Sequence, residues 1–80
     1  MLSRYLDAAM RRARYEILSD DGSFYGEIPG LDGVYSNAAT LEECRDQLRE
    51  VLEEWILVRV ARHLAVPPID GVTLEVAAVA

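Results

Sequence analysis

Leu2, Leu6, Ala9, Met10 and Ala13 fall at the three-and-four spacing that lines one side of a helix, with Ser3 placed to cap it. The spacing predicts a short amphipathic helix over 2–13. From Arg14 the pattern shortens: Tyr15 and Ile17, then Phe24, Tyr25 and Ile28, flank Ser19-Asp20-Asp21-Gly22-Ser23, which reads as a hairpin turn. Pro29-Gly30-Leu31-Asp32-Gly33 ends the second strand, because proline has no ladder donor and glycine accepts positive φ. A third short strand is expected at Val34-Tyr35-Ser36.

Helical spacing returns at Thr40-Leu41-Glu42-Glu43, where a threonine followed three residues later by glutamate forms a capping box. Leu41, Cys44, Leu48, Val51, Leu52 and Trp55 then line one side while charged residues occupy the rest. Past Trp55 the apolar positions multiply, with Ile56, Leu57, Val58, Val60, Ala61, Leu64, Ala65 and Val66 leaving only Arg59, Arg62 and His63 polar. That half of the helix needs cover on more than one side. Pro67-Pro68 stops the helix, Asp70-Gly71 turns the chain, and Val72 to Val79 reads as a last strand with Val72, Leu74 and Val76 on one face. The expected architecture is an α+β two-layer sandwich of order α-β-β-β-α-β, an antiparallel hairpin sheet packed on one long helix.

Eighty residues make one domain with a thin core, so self-association is a natural source of further buried area. A homo-dimer or tetramer is expected, joined through Trp55, Ile56, Leu57, Val60 and Leu64 and through Val76 and Val79 of the uncharged last strand. Charge divides the chain: residues 1–15 hold four Arg against Asp7, and the remainder holds four Arg against thirteen acids. An acidic body of this kind disfavours nucleic acid and suits a basic protein partner. The lone Cys44 excludes an internal disulfide and suggests a reducing compartment. With neither a signal-peptide pattern nor a long apolar run, a cytoplasmic protein without a membrane span is expected.

Catalytic constellations are weak. Asp20, Asp21, Glu27 and Asp32 could hold a divalent metal for phosphodiester hydrolysis, but three of them fit turn chemistry better. Cys44 and His63 lie nineteen residues apart on one predicted helix, roughly 28 Å, too far to act together. The Arg11-Arg12-Ala13-Arg14 cluster could touch phosphate, though arginines at a helix C-terminus also balance its dipole. No enzyme activity and no cofactor are expected.

Tyr15-Glu16-Ile17, the Asp20-Asp21-Gly22-Ser23 turn, Phe24 to Leu31, Thr40-Leu41-Glu42-Glu43-Cys44 and the late Pro67-Pro68 together resemble the HicB-like antitoxins of prokaryotic toxin–antitoxin systems. The resemblance runs from Tyr15 to about Gly71. It implies a reduced RNase H-like core and, as partner, a small basic RNA-cleaving toxin of the HicA type. Many such antitoxins add a C-terminal DNA-binding domain that this chain does not show, so direct operator binding is not expected, and the helix before the first strand is an addition to the family pattern. On this resemblance the toxin would be held by acids, with Glu27 and Asp32 near the sheet and Glu42, Glu43, Asp46, Glu50, Glu53 and Glu54 along the helix as candidates. Two alternatives stand beside it: a solitary homo-oligomer with no toxin, and a nucleic-acid-binding or metal-dependent nuclease remnant.

Overall fold

The computed structural model describes residues 2–74 and shows an α+β fold. Helix α1 spans Leu2–Arg11, strands β1, β2 and β3 span Arg14–Ile17, Phe24–Glu27 and Tyr35–Ala38, and helix α2 spans Leu41–Ala61. The strands form an antiparallel sheet in the order β1-β2-β3. Helix α2 packs across β2 and β3, and α1 lies against α2.

Two turns set the registers. Ile17 pairs with Phe24 across a loop closed by the Leu18 amide on the Ser23 carbonyl at 2.8 Å, with Gly22 supplying the positive φ. Between β2 and β3 the chain makes two successive type II turns, because Leu31 donates to Ile28 and Val34 to Leu31, and the third residue of each is a glycine at φ 90. Ile28, Leu31 and Val34 thereby enter the core at equal intervals. Val34 belongs to this turn, so β3 begins one residue later than its apolar pattern suggests and runs to Ala38.

Thr40 caps α2 as expected: its hydroxyl accepts from the Glu43 amide and donates to the Glu43 carboxylate. Cys44, Leu48, Leu52 and Ile56 form the buried row of this helix. Ser36 is the buried polar group of the sheet, and its hydroxyl donates to the Cys44 carbonyl at 2.8 Å, tying β3 to the first turn of α2.

The helix ends earlier than Pro67-Pro68 implies. His63 takes φ 56, and the Leu64 amide reaches back to Arg59 while the His63 amide reaches Val60, which is the Schellman closure. A histidine occupies the left-handed position where glycine is usual, which is why the stop carries no glycine signal. Leu64, Ala65 and Val66 therefore lie beyond the helix. After them Asp70 and Gly71, at φ 48 and 76, make a type I′ turn that pairs Ile69 with Val72. The last strand expected over 72–79 shows only this isolated bridge in its first residues, and its remainder, with Val76 and Val79, lies outside the described residues.

Helix α1 buries Tyr5, Leu6, Ala8 and Ala9. The face is rotated from the expected one: Leu2 is exposed, Ser3 lies inside the helix rather than at its cap, and Tyr5 is fully buried. The Tyr5 hydroxyl donates to the Pro67 carbonyl, joining the first helix to the segment after α2. Burial raises the Tyr5 phenol above its ordinary value of 10.0, a rise that the Arg59 charge partly offsets. The unfolded chain therefore releases this proton first, and stability present below about pH 10 falls as pH rises through the unfolded value. Urea unfolding near pH 8 and near pH 10.5 measures that fall, and Tyr5→Phe is expected to reduce it while costing about 1 kcal/mol at neutral pH. Equal alkaline slopes in the two proteins would show that Tyr5 does not contribute.

Candidate functional site

The acids of α2 stand on one side. Glu42, Asp46, Glu50 and Glu53, with Glu43 and Glu54 beside them, face away from the row of Cys44, Leu48, Leu52 and Ile56, and all six are exposed. Arg45 and Arg49 border this surface. Arg49 bridges Asp7 of α1 at 3.6 Å, a link between the two helices, and Glu53 one turn along α2 at 3.7 Å; both pairs are exposed and contribute little to stability. Glu43 is engaged by the Thr40 cap, which leaves Glu42, Asp46, Glu50 and Glu54 outside the ion pairs of the described residues.

The other two candidate acids belong to a different surface. In β2, Gly26 turns toward Cys44 of α2, so by alternation Tyr25 and Glu27 point to the opposite face of the sheet. Tyr35 stands directly across from Glu27, and the Tyr25 and Tyr35 rings stack at 6.2 Å and 25°. With the turns of 28–34, including Asp32, these side chains bound a cleft of about 150 Å³. Desolvation raises the Tyr25 phenol first, and the charges of Glu27, Tyr35 and Glu16 push it the same way.

The residues expected to join copies of the chain divide sharply. Ile56 is 3% exposed and belongs to the core, and Val60 is half-buried against it. The Ile56 side chain is therefore enclosed by this chain's own core, while Val60 is enclosed only in part. Leu57 is 64% exposed, and Val58 and Leu64 are exposed beside it. Trp55 is half-buried: its indole N–H donates to the Asp32 carbonyl at 3.0 Å, and the Arg59 guanidinium covers its ring at 4.8 Å. Trp55, Val51, Val58 and Leu64 line an open groove of about 340 Å³ with Gly33, Glu54 and Arg59.

The residues considered for chemistry have structural work to do. Asp21 accepts the Ser23 amide at 2.9 Å, and bonds from the Ser23 hydroxyl and amide hold its carboxyl below its ordinary value. Cys44 is buried against Ser36. Arg12 pairs with Asp70 at 3.0 Å, so one member of the arginine cluster fastens α1 to the type I′ turn. Among the described residues no group of three or more His, Cys, Asp or Glu side chains is gathered to hold a metal ion, and no helix is long and apolar enough to cross a membrane. The sheet-face tyrosines were not foreseen, although Tyr25 and Tyr35 could have been assigned to one face by two-residue periodicity once the Gly30 and Gly33 turns fixed the register.

The fold is thus that of a small α+β domain with an acidic helix face, an aromatic sheet face and an apolar ridge. The chain belongs to the UPF0150-like family, which matches residues 4–67. It is similar to TTHA0281 from Thermus thermophilus, whose crystal structure shares 42% sequence identity over 94% of this chain and 93% of that one, with a TM-score of 0.87. Among curated proteins none matches the chain.

Proposed function

We propose that this protein is a HicB-like antitoxin that acts in the cytoplasm by binding, without catalysis, and neutralises a small basic RNA-cleaving toxin of the HicA type. The observation that carries this reading is the outward acidic face of α2, where Glu42, Asp46, Glu50 and Glu54 are left outside the ion pairs of the described residues. A basic RNA-binding surface is the complement of such a face, and covering it would block access of the phosphate backbone. The order β1-β2-β3-α2 and the UPF0150-like membership support the same reading. In this reading the protein works as a homo-dimer or tetramer, with Leu57, Val58 and Leu64 between the copies.

The test mixes the purified protein with the HicA-like protein encoded nearest its gene and follows RNA cleavage. Cleavage should stop at stoichiometric ratios, and Glu50→Arg with Glu54→Arg should slow association about tenfold at low salt. Unchanged cleavage at large molar excess would overturn the proposal.

A further inference from the structure

We propose that the outer face of the sheet is an anchor for a single arginine side chain of the basic partner, seated over Tyr35 and held by the Glu27 carboxylate. The inference rests on the antitoxin reading for the partner's identity and adds to it a contact point away from the α2 acids.

Three properties of this face select a guanidinium. First, among the described residues no element covers it: α2 packs on the Gly26 and Ser36 face, α1 lies against α2, and Tyr35 remains 58% exposed although it is aromatic. Second, its aromatic surface is already oriented. The Tyr25 ring braces Tyr35 from one side in a near-parallel stack, which leaves the other side of the pair for a planar cation. Third, a carboxylate stands at the right place, because Glu27 is the direct cross-strand neighbour of Tyr35 and lines the cleft with both rings. A guanidinium resting on a tyrosine can present its N–H edge to such a carboxylate, a combination that an ammonium, with no plane to stack, satisfies less well.

Charge favours the same occupant. Glu16 lies across from Tyr25, and Arg14, Glu16 and Glu27 border a second hollow beside that ring, of about 280 Å³. Arg14, opposite Glu27 on β1, is the basic residue of this face, yet none of the ion pairs among the described residues engages Glu16 or Glu27. On the outward side of β1 and β2 the two carboxylates therefore outnumber the one guanidinium. A nucleic-acid phosphate is repelled by this arrangement.

The probe is an acetylated, amidated hexa-arginine peptide added to the full-length isotope-labelled protein, followed by NMR. The expected result is a saturable shift of the Tyr25, Glu27 and Tyr35 signals. Glu27→Gln combined with Tyr35→Ala should weaken binding at least about tenfold, since it removes a charge-assisted hydrogen bond and a cation–π contact. Both side chains face solvent, so the variant should fold, and an unchanged far-UV spectrum checks it. Asp20→Asn, which removes one exposed charge from the β1–β2 turn, should leave affinity unchanged, and hexa-lysine should bind more weakly than hexa-arginine. Shifts confined to α2, or equal affinity of the double variant, would overturn the anchor. Because the peptide assay contains no toxin, loss of the anchor leaves toxin neutralisation to be judged by RNA cleavage, and an anchor without neutralisation removes the antitoxin reading alone.

Discussion

Ile56→Ala is expected to lower the free energy of unfolding by about 2–5 kcal/mol, whereas Leu57→Ala, one residue along, should change it by less than about 0.5 kcal/mol. Both are β- or γ-branched aliphatic residues in an apolar stretch of one helix, and sequence assigns both to a contact between copies. The structure separates them by 100° of helical rotation: Ile56 is 3% exposed among Leu48, Leu52 and Tyr5, while Leu57 is 64% exposed. Truncating Ile56 removes transfer free energy and leaves a cavity that a core gathered from two helices and a three-stranded sheet refills only in part. For eighty residues the total stability is of the order of 4–12 kcal/mol, so the loss is a large share of it. The melting temperature should fall by at least about 8 °C.

The two substitutions should differ in the opposite sense in an experiment that reads assembly. If Leu57 lies between copies, Leu57→Asp lowers the mass measured by light scattering and makes the melting temperature independent of protein concentration. Unfolding at the lowest usable concentration isolates the monomer term. An Ile56→Ala loss below about 1 kcal/mol there would mean that the site collapses without a cavity, contrary to the packing described.

The elements were legible where one local interaction decides them. The Thr40 capping box, the Asp-Gly turns and the paired glycines of 28–34 each specify a backbone conformation within four residues, and the structure has all of them. Burial was less legible because it depends on the direction from which a second element arrives. Tyr5 lies off the Leu2-Leu6-Ala9 stripe that spacing assigns to the core, but α1 meets α2 along a rotated face and Pro67 supplies a carbonyl for the hydroxyl. The stop of α2 was misplaced for a different reason. Proline announces itself, whereas a histidine in the left-handed region does so only through the hydrogen bonds it closes. Of the α2 acids, exposure was legible, since the outward side of a helix follows from its period alone. The tyrosine pair needed the strand register, which the loop lengths determine and the apolar pattern does not.

Gly26→Ala is expected to destabilise the fold by about 1–3 kcal/mol, the range for an overpacked core position. The sign is the informative part. Gly26 is in the central strand with no positive φ to require glycine, and at an open position of this kind alanine stabilises by about 0.4–1 kcal/mol through the unfolded chain. Here the added Cβ would sit 2.9 Å from two carbons of the Tyr15 ring and 3.1 Å from the Cys44 sulfur. The ring is the cross-strand neighbour of Gly26 and lies over it, and the sulfur belongs to a residue bound to Ser36 on the adjacent strand. The sulfur is buried and cannot yield by rotating a free end, and the ring can yield only by leaving its packing against the core. Steric cost therefore exceeds the entropic gain, and the sheet must move away from α2 to admit one methyl group. A double-mutant cycle with Tyr15→Ala identifies the source: without the ring, the cost of Gly26→Ala should shrink by at least about 0.5 kcal/mol. Gly26→Ala that raised the urea midpoint in the wild-type background would show that α2 and the sheet are not held at this separation, and with it that the Ser36–Cys44 tie does not fix the distance between the two layers.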